Sequence, residues 1–165
     1  MRPRDLFDPY ALLEALERNR VSYVVVGAFA RVVHGTGEVT RGLDIVPSPR
    51  DANLRRLVQA LDELGREGES PLAIGANPVV VDTPAGRVTI VPEPWGTRGY
   101  DDIRIRGNRE NLGRGLRPQI ASTVDLVRML DASARPEDAD RLQRLRRLME
   151  LERIRSRRRG LQLER

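Results

Sequence analysis

No cysteine and no lysine occur among the 165 residues, and histidine appears once, as His34. The missing cysteines exclude disulfides, zinc-thiolate sites and a cysteine nucleophile. With a single histidine, zinc sites and Cys/His catalysis are excluded as well. Aromatics are scarce, with two Phe, three Tyr and one Trp, and none interleaves with the C-terminal arginine run, so base stacking there is not expected. No segment approaches the roughly 20 apolar residues of a membrane span, and the N-terminal "MRPRDLFDPY" lacks the apolar run of a secretory signal. A soluble cytoplasmic protein without membrane association is expected.

All 29 basic residues are arginine, a bias that a GC-rich genome produces without functional demand. The net charge of +5 is unevenly placed. Residues 141 to 165 hold ten Arg against Glu150, Glu152 and Glu164, whereas residues 1 to 140 are slightly acidic. The C-terminal "RIRSRRRG" is therefore the one candidate polyanion patch, set against the plainer reading of a solvated helix face fading into a disordered tail. At this length one domain with a helical appendage is expected, divided as an α/β core over residues 1–121 and C-terminal helices with an arginine-rich tail over 122–165.

Along the chain, Asp8 and Pro9 open a helix through "YALLEALERN", with Leu12, Leu13 and Leu16 on one face. "VSYVVVG" reads as a strand buried on both faces, since it shows no polar alternation. Gly27 and Ala28 turn it into a short helix, "FARVVHG", closed by Gly35. A strand at Leu43 to Val46 precedes a helix for which Ser48 is the expected cap, Pro49 the first-turn residue and Asp51 the capping-box acid. "NPVVVDTPAGRVTIVPEP" reads as a hairpin turning at Thr83 to Gly86. A short helical turn at Tyr100 to Ile103, a second hairpin around "LGRGL", a helix capped by Ser122 and a long helix from Pro136 complete the α+β pattern.

The stretch "VTRGLDIVP", residues 39–47, carries one carboxylate, Asp44, with Gly42 two places before it. Two acids spaced two apart on a strand point the same way and can hold metal ions. Here the first of such a pair is missing.

The strand ending in Gly27–Ala28, the short helix with "HG", "TRGLDIVPSP" with its following helix, "TPAGRVTIVPEP" and "RPEDADRL" together resemble the nucleotidyltransferase superfamily, with the polymerase-beta-like fold. The likeness is to small bacterial members of the abortive-infection and toxin–antitoxin type, and it covers roughly residues 8 to 145. It implies a mixed β-sheet flanked by helices with a helical C-terminal end. Nucleotide phosphates are then expected at the helix start behind Gly27 and Ala28, assisted by Arg31 or Arg41.

Catalysis in that family rests on three acids holding two Mg²⁺ ions, and these positions fall on Gly42, Asp44 and Thr89. Only Asp44 remains as a catalytic and metal-binding remnant. Mg²⁺ is therefore expected to be held weakly or not at all. Asp82 is expected to pair with Arg87, and His34 to serve a structural role. The resulting expectation is a catalytically degenerate nucleotidyltransferase-fold protein that binds a nucleotide, an RNA or a partner protein. The alternatives are an active metal-dependent nucleotidyltransferase acting on an RNA, protein or small-molecule hydroxyl, and an assembly module or homo-oligomer pairing through the C-terminal helix.

Overall fold

The computed structural model describes residues 6–68, 75 and 77–163. Helix α1, Pro9–Arg18, starts where the Asp8 side chain accepts a hydrogen bond from the Ala11 amide at 3.1 Å. It buries Leu12, Leu13, Ala15 and Leu16. Strand β1, Tyr23–Val26, is buried at every position, as its unbroken apolar run requires. Helix α2, Gly27–His34, follows without a connecting loop and ends at Gly35, whose left-handed φ of 105° suits glycine.

Strand β2, Gly42–Pro47, leads to helix α3, Asp51–Glu63. The expected cap fails here: Arg50 occupies the N-cap position and no side chain caps the helix. Ser48 is buried just after β2, and its amide donates to Ser22 O at 2.9 Å. Asn53 holds this corner by accepting from the Ser22 amide and donating to Ser22 O and Ser48 O. Sheet extension thus claims Ser48 before it can cap.

The first hairpin, β3 at Val79–Thr83 and β4 at Gly86–Ile90, is followed by α4, Tyr100–Ile103. The second pairs β5, Asn108–Arg109, with β6, Gln119–Ile120, around a turn in which Leu112 and Leu116 bond. Helix α5, Thr123–Ser133, is capped as expected by Ser122, which accepts from the Asp125 amide at 3.1 Å. A 3₁₀ turn at Pro136–Asp138 opens the 25-residue helix α6, Ala139–Leu163. The basic segment is therefore helical as far as Leu163, where a fading tail was one of the expectations.

The sheet has six strands in the order β3-β4-β2-β1-β6-β5. β2 runs parallel to β4 and antiparallel to β1, and β1 runs parallel to β6. On one face of β2 and β4, Leu43, Ile45, Val88 and Ile90 are buried in the core. The opposite face is covered at Val24 and Val46 but opens to solvent from Asp44 outward, where Arg87 is exposed and Val80 is 55 % exposed. This half-covered sheet positions the candidate site.

Candidate functional site

Alternation along the strands puts Gly42 and Asp44 on the open face together. The parallel register sets Gly42 opposite Arg87 and Asp44 opposite Thr89, so the three positions expected from the resemblance are immediate neighbours. They line a cleft of about 460 Å³ with Thr40, Arg41, Glu67, Asp82 and Arg87. Only Asp44 contributes a carboxylate at the three positions.

Asp44 lies directly against the start of α2. A Cβ built on Gly27 would collide with Asp44 Oδ2 and stand 2.9 Å from Cγ, and Gly27 also has a φ of 69°. Two independent constraints therefore demand glycine: the left-handed backbone and the carboxylate packed on it. No side chain caps α2, and the positive end of its dipole lies beside the Asp44 carboxylate that packs on Gly27. Burial pushes the Asp44 carboxyl above its usual range, opposed by hydrogen bonding to Thr89 and by the charge of Arg31.

Gly42 has its own constraint. A Cβ there would approach Arg87 O, on the neighbouring strand β4, to 3.0 Å. Asp82 pairs with Arg87 at 3.0 Å, as expected from the hairpin. It sits on β3, with β4 between it and β2. Two strand spacings of about 4.8 Å each separate it laterally from Gly42, and its carboxylate is engaged by Arg87.

The candidate phosphate-binding residues divide. Ala28 sits in the first turn of α2, and Arg41 is exposed on the rim of the cleft. Arg31 is buried and committed elsewhere: Nε and Nη2 donate to the two Glu38 oxygens at 2.8 and 3.0 Å. Glu38 also accepts from Thr36 and pairs with Arg141 at 3.2 Å. Burial works to raise the Glu38 carboxyl, but hydrogen bonds from Arg31 and Thr36 and the charges of Arg31 and Arg141 hold it below its usual range. Arg31 thus acts on the site through its field at Asp44. The seven-residue gap from Arg31 to Glu38 gave no periodic signal by which to find this pair.

His34 is structural. Its Nε2 bonds Ala121 O at 2.8 Å and its Nδ1 lies 3.9 Å from Glu152, tying α2 to the start of α5 and to α6. Arg128 joins a network of ion pairs. It donates to Asp125, Asp102 and Gly96 O, and Arg106 bonds the same two acids. Asp125 is fully buried between these arginines.

The residues present do not fit a pair of magnesium ions. Among the described residues no cluster of three acidic, histidine or cysteine side chains could hold a metal. Gly42 offers no oxygen, and Thr89 offers a neutral hydroxyl where a two-ion site requires charge.

No family model and no curated protein matches the chain. Its structure is similar to the solution structure of the antibiotic-resistance factor ANT(2'')-Ia, a nucleotidyltransferase. The TM-score is 0.56 at 16 % sequence identity, over 94 % of this chain and 92 % of that one. Among the described residues no helix is long and apolar enough to cross a membrane. The mixed sheet, its flanking helices and this likeness over nearly the whole length make the architecture that of a nucleotidyltransferase-like α+β fold.

Proposed function

We propose that this chain uses a nucleotidyltransferase-like scaffold to bind a nucleotide without transferring it. The observation that carries the reading is the register of β2 and β4: Gly42, Asp44 and Thr89 share one face of one cleft, and one carboxylate stands where two-ion chemistry needs three. The uncapped start of α2 at Gly27 and Ala28 supplies main-chain donors for phosphate, and Arg41 on the rim supplies charge. Since one well-placed electrostatic group supplies roughly 3 to 4 kcal/mol to a transition state, losing two reduces turnover by several orders of magnitude. The resemblance to toxin–antitoxin members extends the same reading to a cytoplasmic protein whose liganded state is sensed by a partner.

Isothermal titration with the four ribonucleoside triphosphates, with and without Mg²⁺, tests it. Saturable heat that is little changed by magnesium is expected, together with no incorporation of labelled nucleotide into RNA, protein or small-molecule acceptors. The absence of heat at millimolar nucleotide refutes the binding.

The second reading is an active metal-dependent nucleotidyltransferase. Its support is that Asp44 is partly buried, has a raised pKa and shares its cleft with Glu67 and Asp82, as tuned catalytic carboxylates do. Label transfer that disappears in Asp44→Ala establishes this reading and overturns the first.

A further inference from the structure

Helix α6 leaves the body before it ends. Leu145 is its one fully buried residue among those described, and every residue from Glu150 to Leu163 is exposed. At 1.5 Å per residue that exposed length is about 20 Å. Its ion pairs to the body through arginine, from Arg141 and Arg146, lie before this point.

The exposed half is not uniformly polar. Leu151, Ile154 and Leu161 are 46 %, 41 % and 66 % exposed. With Arg147 and Arg158 they fall at alternating intervals of four and three residues, the spacing of the seam of a coiled coil. At about 100° per residue, these five positions lie roughly 160° to 240° around the helix from Leu145. The stripe therefore points away from the body that Leu145 packs against.

We propose that this outward stripe of α6 is a docking surface for an acidic amphipathic helix of a partner protein. Charge selects the partner. Arg153, Arg155, Arg157, Arg158 and Arg159 crowd the arm against Glu150 and Glu152, and Glu152 already accepts from Thr123 at 3.0 Å. A second copy of this chain brings like charge to like charge, and in a parallel pair it sets Arg158 against Arg158 at the seam itself.

A nucleic-acid backbone neutralises the arginines but leaves Leu151, Ile154 and Leu161 facing water, and α6 has no aromatic side chain for stacking. A membrane surface favours a broad apolar face, whereas this stripe is narrow and interrupted by arginine. A helix that alternates apolar residues with Glu or Asp buries the three apolar side chains and pairs with the arginines together.

The test uses the full chain and a fluorescent synthetic helix of roughly three heptads, with Leu at the seam and Glu on both flanks. Fluorescence anisotropy at physiological salt is expected to show saturable binding. Ile154→Glu and Leu161→Glu should each weaken it by about tenfold or more, the effect of truncating an anchoring side chain, and Arg158→Glu should do the same. These positions are exposed, so unchanged circular dichroism and melting temperature serve as the folding check. A peptide with Lys in place of Glu should not bind.

The proposal is overturned by any of four results. These are no binding of the acidic peptide, affinity unchanged by Ile154→Glu and Leu161→Glu, concentration-dependent self-association abolished by Ile154→Glu, and displacement of the peptide by lower concentrations of single-stranded RNA or phosphatidylserine vesicles.

Discussion

Gly27→Ala probes the contact on which the site is built. Two costs add. An alanine held at a φ of 69° loses roughly 1 to 2 kcal/mol to left-handed strain. Its Cβ also collides with the Asp44 carboxylate, so the side chain must leave its place against α2 or the strand must shift, an overpacking cost of about 1 to 3 kcal/mol. Together the substitution should destabilise the fold by about 3 kcal/mol and lower the melting temperature by roughly 6 to 12 °C in a chain of this size.

The two costs separate in a double-mutant cycle with Asp44→Ala. Removing the carboxylate leaves Asp44 Cβ at 3.1 Å from the new methyl, a tight contact that a small strand movement relieves. The double variant should then recover about 1 kcal/mol or more of the loss, while the backbone strain persists. Urea denaturation of the four proteins measures the coupling energy. Additive losses, with no recovery in the double variant, refute the claim that Asp44 is packed on Gly27.

Asp44→Asn should stabilise the protein by about 1 kcal/mol at pH 7, the order of a single favourable substitution. A raised folded pKa means that the native state binds the proton more readily than the unfolded chain. The Asp44 contribution to stability is thus highest below the unfolded pKa and falls as pH rises through the folded one, a slope that thermal melts of the Asn variant should lack. Asp125→Ala removes a fully buried acid that holds Arg106 and Arg128, and should cost about 2 to 3 kcal/mol by urea melts, less than a wholly buried pair because both arginines reach solvent. Hydrogen bonds from Arg128, the Arg98 amide and Arg106 hold the Asp102 carboxyl at about 2. Its stabilising contribution, complete above an unfolded pKa of about 3.9, should be lost as pH falls toward 2, and Asp102→Asn should flatten melting temperature against pH in that window.

Local signals in the chain carried most of the architecture. Asp8–Pro9, Gly35 and Ser122 mark helix ends by chemistry that acts within one turn, and the apolar run at Tyr23–Val26 declares a strand covered on both faces. Ser48 misled because its backbone is claimed by Ser22 across the sheet and its corner by Asn53, a tertiary demand that outranks local capping. Alternation along β2 was enough to put Gly42 and Asp44 on one face, whereas Thr89 was placed beside them only by the family resemblance, and the β2–β4 register makes it their neighbour. Asp125 stands three residues before Arg128 on α5, but Asp102, and Glu38 for Arg31, were not legible, because they reach their arginines through tertiary packing and not through helical spacing.

The close approach of Gly42 to the Arg87 carbonyl bears on what a side chain at that position would do. With 3.0 Å left for a methyl-sized atom, an aspartate installed at position 42 fits once the Arg87 carbonyl gives by a few tenths of an ångström, and alternation then aims its carboxylate into the cleft beside Asp44. The sheet thus stands one small adjustment from carrying a second acid, which makes position 42 the place to engineer a metal site.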